Sequence, residues 1–187
     1  PAVVTRDGPD RATVRATRIT TPITIDGRLD EEVYARVMSV GDFVQQEPRE
    51  GQPATEKTDV WMLYDDHNIY VSAKCWDSHP ERESVKEMRR DNFALYDNEM
   101  FLVSFDTFHD RRNGFEFAVN LSGGFSEAQL TDERDFNLDW NTVWDTKTSR
   151  FDGCWTVEIA IPLKSLRYSS LPSQIWGVNF RRSVGWK

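Results

Sequence analysis

The sequence predicts an all-β protein, an antiparallel β-sandwich of the jelly-roll or immunoglobulin-like kind, with one short helix near its amino end. Three observations carry that prediction. From about residue 41 onward, apolar residues recur at every second position within short segments, the spacing of strands with one covered face. About nine or ten such segments are separated by turn-forming residues, the rhythm of a sandwich. Only DEEVYARVM places its apolar residues at helical spacing.

Taken in order, residues 1–16 are polar, carry Gly8 and Pro9, and are expected to form a flexible lead or linker before a single domain over 17–187. ITIDG at 23–27 reads as a short strand entering a turn. Asp30 then caps a helical turn or two in which Val33, Tyr34 and Val37 share a face. GDFVQQ, TDVWMLYDD and NIYVSAKCWD follow as strands, the last two joined through DDHN as a hairpin. Residues 80–98 are charged and irregular. In EMFLVSFD, Phe101, Val103 and Phe105 lie on one face. In GFEFAVNLS, Phe115, Phe117, Val119 and Leu121 face the core while Glu116, Ala118 and Asn120 face outward. GFSEAQL, TVWDTKTS, CWTVEIAIP and IWGVNFRRSV complete the strands, and in the last Trp176, Val178 and Phe180 alternate with Gly177, Asn179 and Arg181.

A chain of 187 residues can bury one sizeable core without staples. Its net charge of −8, with acids and bases interspersed, lacks the basic footprint that nucleic acid or anionic lipid requires, so neither is an expected partner. No apolar run reaches the roughly 18 residues of a membrane helix, so no direct membrane insertion is expected. PAVVTRDGPD shows no signal-peptide pattern, which fits a cytoplasmic protein or one whose export signal has been removed. Cys75 shares the inward parity of Ile69, Val71 and Ala73, whereas Cys154 is out of phase with Trp155, Val157 and Ile159. Two thiols on different faces are expected rather than a disulfide, with only Cys75 buried.

No constellation for catalysis emerges, and a non-enzyme is expected. His67, His79 and His109 lie in turn-like DDHN, DSHPE and TFHDR, none at metal-ligand spacing. Asp106, Asp110 and Asn113 fall within one hairpin loop, where their oxygens could converge on calcium or could simply shape the turn. Glu116, Asn120, Glu158, Asn179 and Arg181 share the outward parity of their strands, a face suited equally to solvent or to a ligand. Seven tryptophans raise the prospect that some rings belong to a site. DWNTVWD holds two of them, preceded by Asp132, Glu133 and Asp135. Trp144 reads as a strand residue packed in the core. Trp140, in the loop beside Asp139 and Asn141, reads either as a platform for a sugar ring or as a packing residue.

IDGRLDEEVY, LYDDHNIYVSAKCWD, DNEMFLVSFDT, GFEFAVN and WTVEIAIPLKSLRY occur in an order that resembles the family-nine carbohydrate-binding modules. DTFHDRRNGFEFAVNLSG, DWNTVWD and WTVEIAIPLKSLR followed by IWGVNFRR look more closely like the module at the amino end of bacterial proteins that continue into a predicted outer-membrane barrel. The resemblance spans about residues 17–184. It implies an antiparallel β-sandwich, a saccharide ligand, calcium as a structural ion and an exported location, in the periplasm or at the cell surface. It also implies a parent protein whose carboxyl-terminal barrel is a partner. Sugar-binding members place an arginine on the strand written here FAVN and a glutamate shortly after the Asp of DNEMF; this chain has Ala118 and Met100. Two further functions fit the resemblance: a protein-interaction or gating domain docked on the barrel, and a b-type haem domain using Met62 or Met100 with a histidine.

Overall fold

A computed structural model describes residues 4–8, 11–83 and 85–187. Along the chain run β1 (Val4–Gly8), β2 (Arg11–Val14), β3 (Thr17–Arg18), helix α1 (Glu32–Arg36), β4 (Thr58–Tyr64), β5 (Asn68–Trp76) and β6 (Met100–Asp106). Then come β7 (Gly114–Asn120), β8 (Phe125–Thr131), β9 (Asp135–Asn137), β10 (Asp145–Phe151), β11 (Cys154–Pro162) and β12 (Gly177–Ser183). Two five-stranded sheets and one five-residue helix put the chain in the all-β sandwich class. It divides into two compact units, Pro1–Pro80 with Asp145–Ala160, and Glu81–Trp144 with Ile161–Lys187.

The first unit holds a sheet in the order β10-β11-β5-β4-β3, antiparallel in its β10–β11 and β4–β5 pairs but parallel between β3 and β4. Asp65 builds the β4–β5 turn by accepting from the N–H groups of His67 and Asn68, as DDHN implies. Ile19, Ile23, Tyr34, Leu63 and Tyr70 form a buried cluster, with Trp61 edge-on to Tyr34 at 5.6 Å. Burying each such side chain contributes roughly 1.5–3 kcal/mol. ITIDG is an irregular segment rather than a strand, and GDFVQQ contributes only the bridge of Val44 to Pro53. Helix α1 begins after Glu31, with no side-chain cap, so Asp30 does not have the capping role expected of it. Within the expected lead over 1–16, Val4–Gly8 and Arg11–Val14 pair as an antiparallel ribbon; residues 1–3 and 9–10 lie outside the described residues.

Glu158 explains how this unit keeps its irregular segment in place. Its side chain is fully buried and accepts from Gly27 N–H at 2.8 Å, Asp26 N–H at 3.0 Å and Tyr34 Oη at 2.8 Å. One carboxylate therefore pins both the turn and the helix to β11. Gly27 has φ +83° and an added Cβ would sit 2.7 Å from the Thr148 carbonyl carbon, so no other residue fits that turn unstrained.

The second unit is an antiparallel sheet in the order β12-β6-β7-β8-β9. On one face Phe105 and Phe117 meet edge to face, and Phe101 stacks with Phe180. The other face is also covered over much of β6 and β7, by a segment the sequence marks as merely charged and irregular. A five-residue 3-10 helix, Phe93–Asp97, is capped by Asn92 and drives Leu95 into a closed cluster with Met100, Leu102 and Ala118. Cys75 and Cys154 both remain thiols, and both are buried; the expectation of an outward Cys154 is corrected, because residues out of phase with the main core in β11 are covered too.

Candidate functional site

The outward face of the second sheet is laid out by its registers. Asn179 pairs with Ser104 and Ser104 with Glu116, making one lateral row; Arg181, Leu102 and Ala118 make the next. Beyond the first row, toward the β6–β7 loop, lies a shallow, open cleft of about 340 Å³ lined by Ser104, Asp106, Gly114, Leu130, Gly177 and Asn179. Small residues open it. Gly114 is required there, since a Cβ would lie 2.7 Å from the Phe105 carbonyl oxygen. Leu130 supplies an apolar wall, while Ser104 and Asn179 add donors and acceptors, a combination suited to a small polar ligand.

The outward residues named from parity separate under this geometry. Asn179 and Arg181 are exposed on β12, and Asn179 borders the cleft. Glu116 is buried and accepts from Tyr96 Oη at 2.9 Å. Burial pushes its carboxyl above the usual range, opposed by the Tyr96 hydrogen bond and the charge of Arg181. Asn120 is wholly buried: its Nδ2 donates to the Glu87 carbonyl at 2.6 Å and its Oδ1 accepts from Ser122 and Gly124 N–H. Glu158 belongs to the first unit and holds the turn described above. The expectation of an open outward face therefore needs correcting at Glu116, Asn120 and Glu158, which other segments cover.

Trp140 is half-buried, its ring 4.9 Å from that of Phe115 and 6.1 Å from that of Phe117. These ring contacts are the ones the packing reading expects. Trp144 precedes β10 instead of standing inside a strand; it too is half-buried, edge-on to Phe117 at 5.1 Å and Phe125 at 5.2 Å. Its Nε1 donates at 3.0 Å to Glu127, a fully buried carboxylate that also accepts from Arg90 and the Thr142 N–H.

In the β6–β7 loop, Asp106 accepts from the N–H groups of Asp110 and Arg111, and Asp110 from those of Arg112 and Asn113 and from Asn113 Nδ2. Hydrogen bonds from Asn113 and the loop backbone hold the Asp110 carboxyl below its usual range. These oxygens are turned onto N–H groups, so the trio as arranged does not fit an oxygen cage for calcium. Among the described residues no group of three or more His, Cys, Asp and Glu is placed to hold a metal ion. Met100 is enclosed by Leu95, Leu102 and Ala118, and Met62 lies half-buried in β4.

As site residues, Ser104, Gly114, Leu130 and Gly177 escape sequence reasoning, which takes Gly114 for a turn glycine with positive φ, a conformation it does not adopt. Ser104 carries the outward parity of EMFLVSFD, and the two glycines open β7 and β12, signals that are present but ordinary.

A model of the carbohydrate family 9 binding domain-like family matches residues 25–182. No curated protein matches the chain. Among solved structures, a family 9 carbohydrate-binding module from Caldicellulosiruptor kristjanssonii in complex with glucose is similar, with a TM-score of 0.61 and 18% identity over 88% of this chain and 76% of that one. The same organism's module in complex with cellotriose gives 0.61 and 17% over 88% and 73%. A putative carbohydrate-binding protein from Bacteroides uniformis gives 0.65 and 10% over 92% and 84%. These likenesses are of fold, and the family match extends over most of the sequence: the chain belongs to the carbohydrate family 9 binding domain-like family.

Proposed function

We propose that this chain is a non-catalytic saccharide-binding module whose ligand occupies the cleft beside Ser104 and Asn179. The observation that carries the reading is that cleft: small residues open it, Leu130 gives it an apolar wall, and polar side chains border it. Support comes also from the family and from the sugar complexes of its structural neighbours. The positions where sugar-binding relatives are expected to carry arginine and glutamate are Ala118 and Met100, sealed here under Leu95. The cleft further along the same face is the alternative place for a ligand. The module acts outside the cytoplasm, in the periplasm or at the cell surface, as the amino-terminal part of a bacterial protein whose barrel lies in the outer membrane. The motifs from DTFHDRRNG to IWGVNFRR support that context by resemblance.

A glycan array on the purified chain, followed by calorimetric titration of the tightest ligand into wild type and Asn179→Ala, tests the reading. Binding that Asn179→Ala weakens by about tenfold is expected, the effect of losing one good polar contact to the ligand. Absence of binding to every saccharide, with association to the isolated barrel instead, would replace the module reading by the docking one.

A further inference from the structure

Three more ionic side chains border the cleft, Arg111 and Arg112 from the β6–β7 loop and Glu133 from the β8–β9 turn. These loops are fastened to each other: Glu133 N–H donates to the Arg112 carbonyl at 2.8 Å, and Arg112 Nη2 lies 2.7 Å from Asp132 Oδ1. Arg112 is thereby engaged by Asp132, and Asp106 by the N–H groups of its own loop. Of the ionic groups lining the cleft, Arg111 and Glu133 have no salt bridge or side-chain hydrogen bond among the described residues. Both also sit at left-handed backbone, φ 59° and 69°, where glycine would serve the turn better. The turn therefore does not explain why side chains are kept at these two positions.

We propose that Arg111 and Glu133 are the specificity-determining pair of this cleft, Arg111 donating to and Glu133 accepting from hydroxyls of an uncharged sugar. The inference rests on the saccharide reading above. A guanidinium only donates and a carboxylate only accepts, whereas a sugar hydroxyl does both, so hydroxyls of one sugar complement each of these two exposed groups. Charge points the same way. Arg111 and Arg112 against Asp106 and Glu133 give the lining a formal charge of zero (2 − 2), and an acidic sugar would face Glu133 as a basic one would face Arg111.

Arg111→Gly and Glu133→Gly test the pair, since glycine removes the side chain while relieving the left-handed backbone. Each variant of the whole chain is titrated with the tightest neutral saccharide from an array that includes cellotriose, and with the uronate and amino forms of that saccharide. Each substitution should weaken the neutral ligand about tenfold or more, with the melting temperature unchanged or raised and the neutral form preferred by wild type. Wild-type affinity in both glycine variants, with Asn179→Ala impaired, would overturn the pair and leave the saccharide reading standing. Tighter binding of the uronate or amino form by wild type would overturn the assignment to uncharged sugars. Failure of wild type to bind any saccharide would overturn both readings.

Discussion

In the first unit Glu158 lies fully buried on β11, holding the Asp26–Gly27 turn and Tyr34; in the second, Asn179 stands exposed on β12 at the border of a cleft. Both occupy the non-core parity of an alternating strand, and alternation alone assigns them to one kind of surface. What separates them is a third segment. An irregular stretch with a turn glycine and a short helix lies over Glu158, whereas Asn179 at the cleft edge of β12 is exposed. Parity determines which side of a sheet a residue takes. Whether that side is solvent, site or second core depends on chain that has no period to read.

Substitutions at the two positions should differ by several kcal/mol. Glu158→Ala leaves Tyr34 Oη and two backbone N–H groups in a buried place without their acceptor and should cost about 3 to 4 kcal/mol, measured by urea unfolding at pH 5. Asn179→Ala should change stability by less than about 0.5 kcal/mol while weakening the ligand. Similar costs at both positions would erase the distinction between a structural and a functional outward residue.

The same carboxyl should make the first unit sensitive to pH. Burial raises the Glu158 pKa to about 7, against hydrogen bonds from Tyr34, Gly27 and Asp26 that lower it. Because the folded value exceeds the unfolded one near 4.5, its contribution is fully present below pH 4.5 and is lost as pH rises through 7. Relative to Glu158→Gln, which cannot titrate, wild type should lose about 3 kcal/mol across that interval, because each pH step of one between the two values is worth about 1.4 kcal/mol. Parallel stability curves for the two proteins would show that the turn and Tyr34 hold the charged form without penalty.

The two tryptophans sharpen the comparison within the second unit. Trp144→Ala removes a ring packed on Phe117 and Phe125 and takes a donor from buried Glu127, so about 2 to 3 kcal/mol should be lost. Trp140→Ala, which gives up ring contacts with Phe115 and Phe117, should cost about 1 to 2 kcal/mol and leave saccharide affinity intact. Loss of affinity with an unchanged melt would restore the platform role to Trp140.

How much is legible in the sequence follows from these residues. Period-two alternation in EMFLVSFD, GFEFAVN and CWTVEIAIP locates β6, β7 and β11 almost to the residue, because paired strands express burial directly in sequence. DDHN specifies its turn for a similarly local reason. Short edge elements such as β3 and β9 carry too few residues to show a period, and Trp144 falls just outside the strand that its neighbours' alternation implies. At the site, parity finds Asn179 but misses Leu95, whose plug over Ala118 and Met100 comes from a charged stretch with no repeating pattern. Gly114 and Gly177 matter because Phe105 and Asp106 approach them closely, and such a close approach has no chemical signature in one sequence.

The smallest expected effect is that of calcium on the β6–β7 loop. Asp106 and Asp110 are near the cleft, yet their oxygens accept from four backbone N–H groups and Asn113 Nδ2. An ion binding there would have to displace donors that already stabilise the carboxylates, as the lowered pKa of Asp110 reflects. Its affinity for the folded state would then be weak, and a weak ligand stabilises little by mass action. The melting temperature should therefore be the same in millimolar calcium and in chelator, whereas Asp110→Ala should lower it by releasing the loop amides. The hydrogen-bonded loop also predicts that its stabilisation is present above the ordinary carboxylate pKa and lost as pH falls through the lowered one. A melt that rises by several degrees with calcium, and falls back with chelator, would mean that the loop opens to turn these oxygens outward and that the trio is a cation site after all.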